Sequence, residues 1–203
     1  MAGLVLCGGA SSRMGADKAM LDVGGEPLRH RVVRRLAAVC HPVLVAPGTP
    51  GRLGPLPWPE VADASGAPGG GPLAGMVAGL RASPEPWMAV VAVDLPLADP
   101  DLLAWLYDHR GDEVPVVPVD TAGRPQPLHA VYPRACAPAL AAALAGGRRR
   151  VLEAVNGAGA ELVAVEAGAG RAWAFNVNEP GDVAALGDLL AGGAGPGNDQ
   201  AHR

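Results

Sequence analysis

Residues 4–18, with the sequence LVLCGGASSRMGADK, decide the fold of this chain. The apolar residues 4–6 predict a buried strand, and the glycines that follow allow backbone N–H groups to approach anionic oxygens without an intervening Cβ. Lys18 places a positive charge at the end of this segment. A strand, a glycine-rich loop and a lysine in this order indicate that the loop holds the phosphates of a nucleotide.

The segment does not fit either of two familiar phosphate-binding motifs. Its spacing matches neither the GxGxxG motif of dinucleotide-binding folds nor the GxxxxGK[ST] motif of P-loop proteins. No Ser or Thr follows Lys18 to bind magnesium. Any metal ligand must therefore come from elsewhere in the chain.

Length and charge limit the class of protein. With 203 residues the chain can bury a substantial core as one domain, which we assign to residues 1–190, and the glycine-rich residues 191–203 are predicted to form a disordered tail. The net charge is −4, and no segment concentrates Lys and Arg enough to follow a nucleic-acid backbone. Nucleic acid is therefore not expected as a partner.

Cysteine use and hydropathy indicate where the protein works. The three cysteines, Cys7, Cys40 and Cys136, include no CxxC pair and no Cys/His spacing suited to zinc, which predicts a reducing, cytoplasmic environment. No apolar run approaches the roughly 20 residues that are needed to cross a bilayer, so no membrane partner is expected.

Apolar residues recur in helical and strand patterns that alternate along the chain. Leu28, Val32, Leu36 and Val39 have helical spacing, and residues 88–93 form the almost uniformly apolar run expected of a central parallel strand. The predicted strands are 4–6, 42–46, a short one closing at Val61, 88–93, 114–119, 130–132 and 162–165. Three predicted helices start near residues 27, 72 and 100, and two more cover residues 135–145 and 182–190. This alternation predicts a three-layer α/β/α fold with a Rossmann-like, doubly wound and mostly parallel sheet.

Three candidate site elements follow predicted strands. They are the loop after residues 4–6, Asp63 after the strand that closes at Val61, and Asp94 after the buried strand 88–93. Doubly wound sheets bind ligands outside the carboxyl ends of their strands, where the winding direction reverses. The convergence of these elements at strand ends predicts one binding site.

Six motifs in order along the chain resemble those of the molybdenum cofactor guanylyltransferases of the MobA family. They are LCGG at 6–9 with RMGADK at 13–18, GPLAG at 71–75, DLP at 94–96, QPLHA at 126–130, RRV at 149–151 and FNVNEP at 175–180. The first and third motifs recur in many nucleotidyltransferases, whereas all six in this order are highly specific. The resemblance extends from about residue 4 to about residue 190.

The resemblance implies a fold of the nucleotidyltransferase type and a defined reaction. GMP would pass from GTP to the terminal phosphate of Mo-molybdopterin, with release of pyrophosphate and formation of the guanine dinucleotide cofactor. Magnesium would be required. The implied partners are GTP, Mo-molybdopterin, and the molybdoenzymes or chaperones that receive the product.

The resemblance also assigns roles by position. The residues implied to bind GTP are Leu6, Cys7, Gly8, Gly9, Lys18, Asp63 and Asp94, and those implied to bind molybdopterin are Arg13, Gly15, Gly71, Gly75, Arg150 and Asn178. Lys18, Asp94 and Arg13 are implied to be catalytic, with Asp94 as the magnesium ligand. The chain departs from the family at the base-binding edge, where residues 46–48 are Ala-Pro-Gly and the family often has an asparagine.

Transfer to a phosphate needs little acid–base catalysis, because a phosphate monoester is already an anionic nucleophile near neutral pH. The barrier falls mainly through positioning and charge neutralisation, which loop amides, Lys18 and a magnesium ion on Asp94 would supply. Magnesium takes one or two carboxylates together with phosphate oxygens and water, so one aspartate suffices once GTP is bound. No histidine is assigned to catalysis, and His129 fits a structural hydrogen bond as well as a substrate contact.

Two alternatives remain at this stage. Within the same class, the chain resembles molybdopterin cytidylyltransferases and other pyrophosphorylases of this fold, although cytidylyl enzymes usually carry Ala-Gly where this chain has Gly8 and Gly9. In a different class, it would be a catalytically silent nucleotide-binding adaptor for molybdoenzyme maturation. The adaptor is expected to have lost the lysine or the metal ligand, yet Lys18 and Asp94 are both present.

Overall fold

The computed structural model of the protein describes residues 1–8, 17–62, 70–165 and 172–192. The strands in these residues are β1 (Ala2–Leu6), β2 (Val43–Ala46), β3 (Trp87–Ala92), β4 (Val116–Val119), β5 (His129–Pro133) and β6 (Glu161–Ala164). The helices are α1 (Leu28–Leu36), α2 (Gly71–Ala82), α3 (Pro100–Asp108), α4 (Ala137–Ala145), α5 (Val151–Gly157) and α6 (Pro180–Gly192), with 3₁₀ turns at Lys18–Met20 and Arg134–Cys136. The predicted site residues Gly9, Arg13, Gly15 and Asp63 lie outside the described residues.

The strands form one sheet in the order β2-β1-β3-β5-β4-β6. β1 is parallel to β2 and β3, and β4 is parallel to β6, whereas β5 is antiparallel to both β3 and β4. The mostly parallel sheet expected from the sequence is confirmed. β5 reverses because residues 120–128, which connect it to β4, are too few for the crossover of about a dozen or more residues that parallel neighbours need.

Helices cover both faces of this sheet. The buried cluster that contains Val5 of β1 includes residues of α1, α3 and α6. The cluster that contains the adjacent Leu4 includes residues of α2, α4 and α5. Since successive strand residues point to opposite faces, the helices form one layer on each side and the three-layer prediction is confirmed.

Local sequence explains the elements that flank the site. All six residues of β3 are buried, as expected for a central strand covered on both faces. The carboxylate of Asp99 accepts hydrogen bonds from the backbone N–H groups of Asp101 and Leu102, and Pro100 occupies the first turn, so α3 begins at this point. Together they fix the path of the chain on either side of Asp94.

Several element boundaries differ from the sequence prediction. Instead of a strand closing at Val61, Glu60 forms a single bridge with Val45. Pro55, Pro57 and Pro59 precede it, and a proline lacks the N–H group that a strand donates to its neighbour. α1 ends at Leu36 rather than at Val39.

Three further differences concern the second half of the chain. A 3₁₀ turn precedes α4, which begins at Ala137 rather than 135, and α5 was not predicted as a helix. α5 has only seven residues, and the Gly-Gly-Arg-Arg-Arg sequence before it is typical of a loop. α6 extends to Gly192, two residues beyond the predicted domain boundary, and the remainder of the predicted tail lies outside the described residues.

In the part of the chain that the structure describes, no helix combines the length and the apolar character that crossing a membrane requires.

Candidate active site

The candidate site lies where the winding of the sheet reverses. Leu6 and Ala92, the last residues of β1 and β3, are paired in register, and Val93 N–H donates to the Leu6 carbonyl at 3.0 Å. From β1 the chain continues to β2 on one side, and from β3 it continues towards β4 on the other side. Such a reversal leaves a crevice at the carboxyl ends of the two strands.

Lys18, Asp94 and Asn178 meet at this crevice. Lys18 Nζ donates a hydrogen bond to Asn178 Oδ1 at 2.8 Å and lies 3.7 Å from Asp94 Oδ2. The three residues come from the 3₁₀ turn before α1, from the end of β3, and from the segment before α6. The fold therefore brings together two residues predicted for the nucleotide and one predicted for molybdopterin.

Two hydrogen bonds fix the backbone on which Asp94 and Asn178 lie. Val177 N–H donates to the Asp94 carbonyl at 2.9 Å, which ties the segment before α6 to the end of β3. The carboxylate of Asp182 accepts from Asn178 N–H at 2.7 Å. The position of Asn178 is thus fixed from both sides by residues distant in sequence from Lys18.

Burial controls the charge of Asp94. The pKa of its carboxyl group is raised, because desolvation by burial disfavours the charged form more than the nearby Lys18 ammonium favours it. The side chain remains 28% exposed. A carboxylate that gains from further positive charge, and that remains accessible from the crevice, suits Mg²⁺ bound together with phosphate oxygens.

The loops after β1 and β2 approach each other closely through two glycines. A Cβ added to Gly8 would lie 3.2 Å from Gly48 Cα, and Gly48 has a φ of +83°. Both positions therefore favour glycine, for close approach at Gly8 and for backbone conformation at Gly48. Gly48 is not among the predicted site residues. The Pro-Gly pair after the second strand is typical of a turn but does not indicate the contact with Gly8.

Leu6 and Cys7 offer only their backbone to a ligand. Both side chains are 4% exposed, and burial raises the pKa of the Cys7 thiol to about 12. Cys7 therefore packs into the core as a small apolar residue. The Leu6 carbonyl already accepts the hydrogen bond from Val93.

Arg52 is a charged residue at this edge that sequence reasoning missed. Its Nε donates to the Pro47 carbonyl at 2.9 Å, its Nη2 donates to the Cys7 carbonyl at 2.5 Å, and its Nη1 pairs with the Asp17 carboxylate. Asp17 also accepts from Ala19 N–H, which caps the turn that carries Lys18. No local pattern marks Arg52, since the partner at Cys7 is 45 residues away.

The remaining residues predicted for molybdopterin occupy two helix starts. Gly71 opens α2 with a φ of +65°, and Gly75 is buried one turn later. The Arg150 side chain is 84% exposed and pairs with Glu153 at 3.3 Å, so this ion pair involves none of Lys18, Asp94 or Asn178. A role for Arg150 in binding molybdopterin stays a prediction.

His129 has a structural hydrogen bond. It is fully buried at the start of β5, and its Nε2 accepts from Asp99 N–H at 3.0 Å. Burial lowers the pKa of His129 to about 3, so the ring is neutral at physiological pH. Of the two uses expected for this histidine, the hydrogen bond to the start of α3 is the one present.

The fold is the one shared by solved nucleotidyltransferases. The fold matches molybdopterin-guanine dinucleotide biosynthesis protein A from Archaeoglobus fulgidus with a TM-score of 0.82 and 22% identity, covering 95% of this chain and 100% of that one. It also matches 2-C-methyl-D-erythritol 4-phosphate cytidylyltransferase from Thermus thermophilus with a TM-score of 0.66 and 21% identity, covering 94% and 98% of the two chains.

Sequence comparison identifies the family. The family model of the MobA-like NTP transferase domain matches residues 3–162, and the chain belongs to this family. It is 37% identical over 183 residues to the probable molybdenum cofactor guanylyltransferase of Deinococcus radiodurans, covering 90% of this chain and 91% of the relative. It is 39% identical over 160 residues to the molybdenum cofactor guanylyltransferase of Burkholderia vietnamiensis, covering 73% and 78%. The resemblance stated from the six motifs is confirmed.

Proposed function

We propose that this protein is a molybdenum cofactor guanylyltransferase that transfers GMP from GTP to Mo-molybdopterin. A phosphate oxygen of the pterin attacks the α-phosphorus of GTP, the bond to the bridging oxygen of the β-phosphate breaks, and pyrophosphate leaves. The observation that supports this most directly is the meeting of Lys18, Asp94 and Asn178 at the reversal of the sheet. The relatives with this name cover most of the chain.

Each residue of the site has a task in this reaction. The Lys18 ammonium neutralises phosphate charge where two polyanions must approach, and the hydrogen bond to Asn178 aims it. Asp94 would hold magnesium, which when bound supplies further positive charge to the triphosphate. Because the attacking phosphate is already anionic, the neutral and buried His129 is not needed as a base.

The partners follow from the same reaction. GTP and Mo-molybdopterin are the substrates, and molybdoenzymes or their chaperones accept the product in the cytoplasm. Guanine is selected over other bases by backbone groups near Leu6 and Gly8. The family asparagine that would assist is replaced by residues 46–48, so base choice is the part of the proposal that most needs a test.

The test is a product analysis. The purified protein is incubated with magnesium, molybdopterin and each of the four NTPs in turn, and the products are identified by mass. We expect a guanine dinucleotide from GTP with equimolar pyrophosphate. A cytosine dinucleotide as the main product would assign the chain to the cytidylyl branch, and nucleotide binding without any product would favour the adaptor.

A further inference from the structure

The Arg52 side chain joins the two ends of the glycine-rich connection. Through Nη2 it contacts the Cys7 carbonyl directly after β1, and through Nη1 it pairs with Asp17 directly before Lys18. Through Nε it also contacts the Pro47 carbonyl of its own loop. One guanidinium group therefore fixes the beginning and the end of the connection against the loop after β2.

We propose that Arg52 is a positioning residue for nucleotidyl transfer, which holds Lys18 at the distance from Asp94 that the reaction requires. This inference rests on the proposed function. The inference goes beyond the proposed function, because Arg52 touches neither Lys18 nor Asp94 in the contacts described and acts through Asp17. Arg52 holds the Asp17 carboxylate, which accepts a hydrogen bond from Ala19 N–H. This bond caps the 3₁₀ turn that begins at Lys18 and so fixes the residue that carries the ammonium.

Charge supports the same role. The Asp17 carboxylate is adjacent in sequence to Lys18, and an uncompensated carboxylate there would attract the ammonium and repel the phosphates of a bound nucleotide. Pairing with Arg52 neutralises that carboxylate. The positive charge of Lys18 is thereby kept for Asp94, Asn178 and the substrate.

The contacts of Arg52 call for arginine and add little to folding. Three different acceptors surround one planar group, an arrangement that a lysine ammonium on a flexible stem does not reproduce. The side chains of Arg52 and Asp17 are 26% and 27% exposed, and ion pairs this accessible to water contribute little to stability. Loss of Arg52 should therefore affect catalysis much more than folding.

The experiment compares Arg52→Gln, Arg52→Lys, Asp17→Asn and the double variant Asp17→Asn/Arg52→Gln. Arg34→Gln is the control for loss of an arginine ion pair away from the site, because Arg34 in α1 pairs with Glu26 and its side chain is 66% exposed, against 26% for Arg52. Measured quantities are kcat and KM for GTP with molybdopterin as acceptor, and the melting temperature. We expect Arg52→Gln to lower kcat about 10- to 100-fold, as for a misplaced catalytic group.

The pattern among the variants decides the proposal. We expect KM for GTP to change less than kcat, Arg52→Lys to give no rescue, and the double variant to be no worse than the poorer single variant, since both act through one contact. The melting temperatures of the variants and of Arg34→Gln should stay within about 4 °C of the wild type. Wild-type kcat in Arg52→Gln, rescue by lysine, or a rate loss matched by unfolding would each overturn the inference.

Failure of the inference and failure of the proposed function give different results. If the wild-type protein forms the guanine dinucleotide and Arg52→Gln forms it equally fast, only the role of Arg52 is overturned. If the wild-type protein forms no dinucleotide, the proposed function fails, and the role of Arg52 that rests on it fails as well.

Discussion

Lys18 carries the main positive charge of the proposed reaction, and its surroundings explain how that charge is aimed. The ammonium donates to Asn178 and faces Asp94 at 3.7 Å, while its side chain is 18% exposed. The Lys18 side chain is therefore more enclosed than expected for a lysine at the end of a glycine-rich loop. Enclosure strengthens its interaction with a bound phosphate, because less water competes for the charge.

We predict that Lys18→Ala lowers the rate of GMP transfer about 10²–10³-fold, as expected when one charged contact to the transition state is lost. The protein should remain folded, since Lys18 lies at the crevice and not in the core. Steady-state kinetics with GTP and molybdopterin, together with far-UV circular dichroism, check both parts. A folded Lys18→Ala protein with wild-type turnover would exclude the phosphate site described above.

The Asp94 carboxylate should be required for activity although it lowers the stability of the folded protein. Burial raises the pKa of the Asp94 carboxyl group, so the charged carboxylate lowers the stability of the folded protein at neutral pH, and this loss is recovered as the pH falls through the raised pKa towards the ordinary value of an unfolded chain. We predict that Asp94→Asn abolishes magnesium-dependent activity, retains part of the GTP binding, and raises the melting temperature at pH 7.

Calorimetric titration with GTP, with and without magnesium, and thermal unfolding test this prediction. Asp188→Asn is a suitable control, because Asp188 is an exposed carboxylate in α6. If Asp94→Asn kept the magnesium response and the product yield, the metal ligand would lie elsewhere. A melting temperature of Asp94→Asn at or below that of the wild type at pH 7 would contradict the burial argument.

Among the secondary-structure elements, α2 approaches β1 closely at Gly79. A Cβ added to Gly79 would lie 2.5 Å from Leu4 Cδ2, and Leu4 is fully buried and has little room to move. The β-strand that leads into the site therefore depends on a small residue in the helix behind it. Glycine is about 1 kcal/mol less favourable than alanine inside a helix, but here it allows this close contact.

We predict that Gly79→Ala destabilises the protein by about 1–3 kcal/mol through overpacking. Gly187→Ala in α6 is the matched control, because nothing lies within 4 Å of the Cβ that it would add. It should leave stability unchanged or raise it by up to about 1 kcal/mol. Urea unfolding of the two variants measures the difference, and equal effects at both positions would refute the close packing of α2 on β1.

The elements predicted best from the sequence are those with strong burial patterns. β1 and β3 are uninterrupted apolar segments, and α3 has the Asp-Pro start that caps a helix. The sequence analysis did not specify the direction of β5, although the short connection to β4 that sets this direction can be read from the sequence. The short strand predicted to close at Val61 is present only as a bridge between Glu60 and Val45, because the prolines before it cannot donate ladder hydrogen bonds.

At the scale of the whole molecule, the site is a product of topology. Lys18 and Asn178 are 160 residues apart in sequence and meet because β1 and β3 are neighbours and α6 returns to the same edge. Lys18 and Asp94 could be predicted, since each follows a buried strand. Arg52 and Gly48 could not, because their contacts join loops whose sequences show only turns.

In the proposed function, backbone groups would select the base. Gly8 lies against Gly48, so the purine would be bounded by main chain on this side. A buried donor or acceptor left without its partner by a wrong base costs about 1–3 kcal/mol, which predicts at least about tenfold selection of GTP.

One competition reaction tests the central claim most directly. The wild-type protein receives equimolar GTP, CTP and ATP together with magnesium and limiting molybdopterin, and the dinucleotides formed are quantified by mass. The product ratio equals the ratio of kcat/KM for the three nucleotides. We expect guanine dinucleotide in at least about tenfold excess over each of the others. Equal or greater formation of the cytosine product, or the absence of any dinucleotide, would contradict this claim.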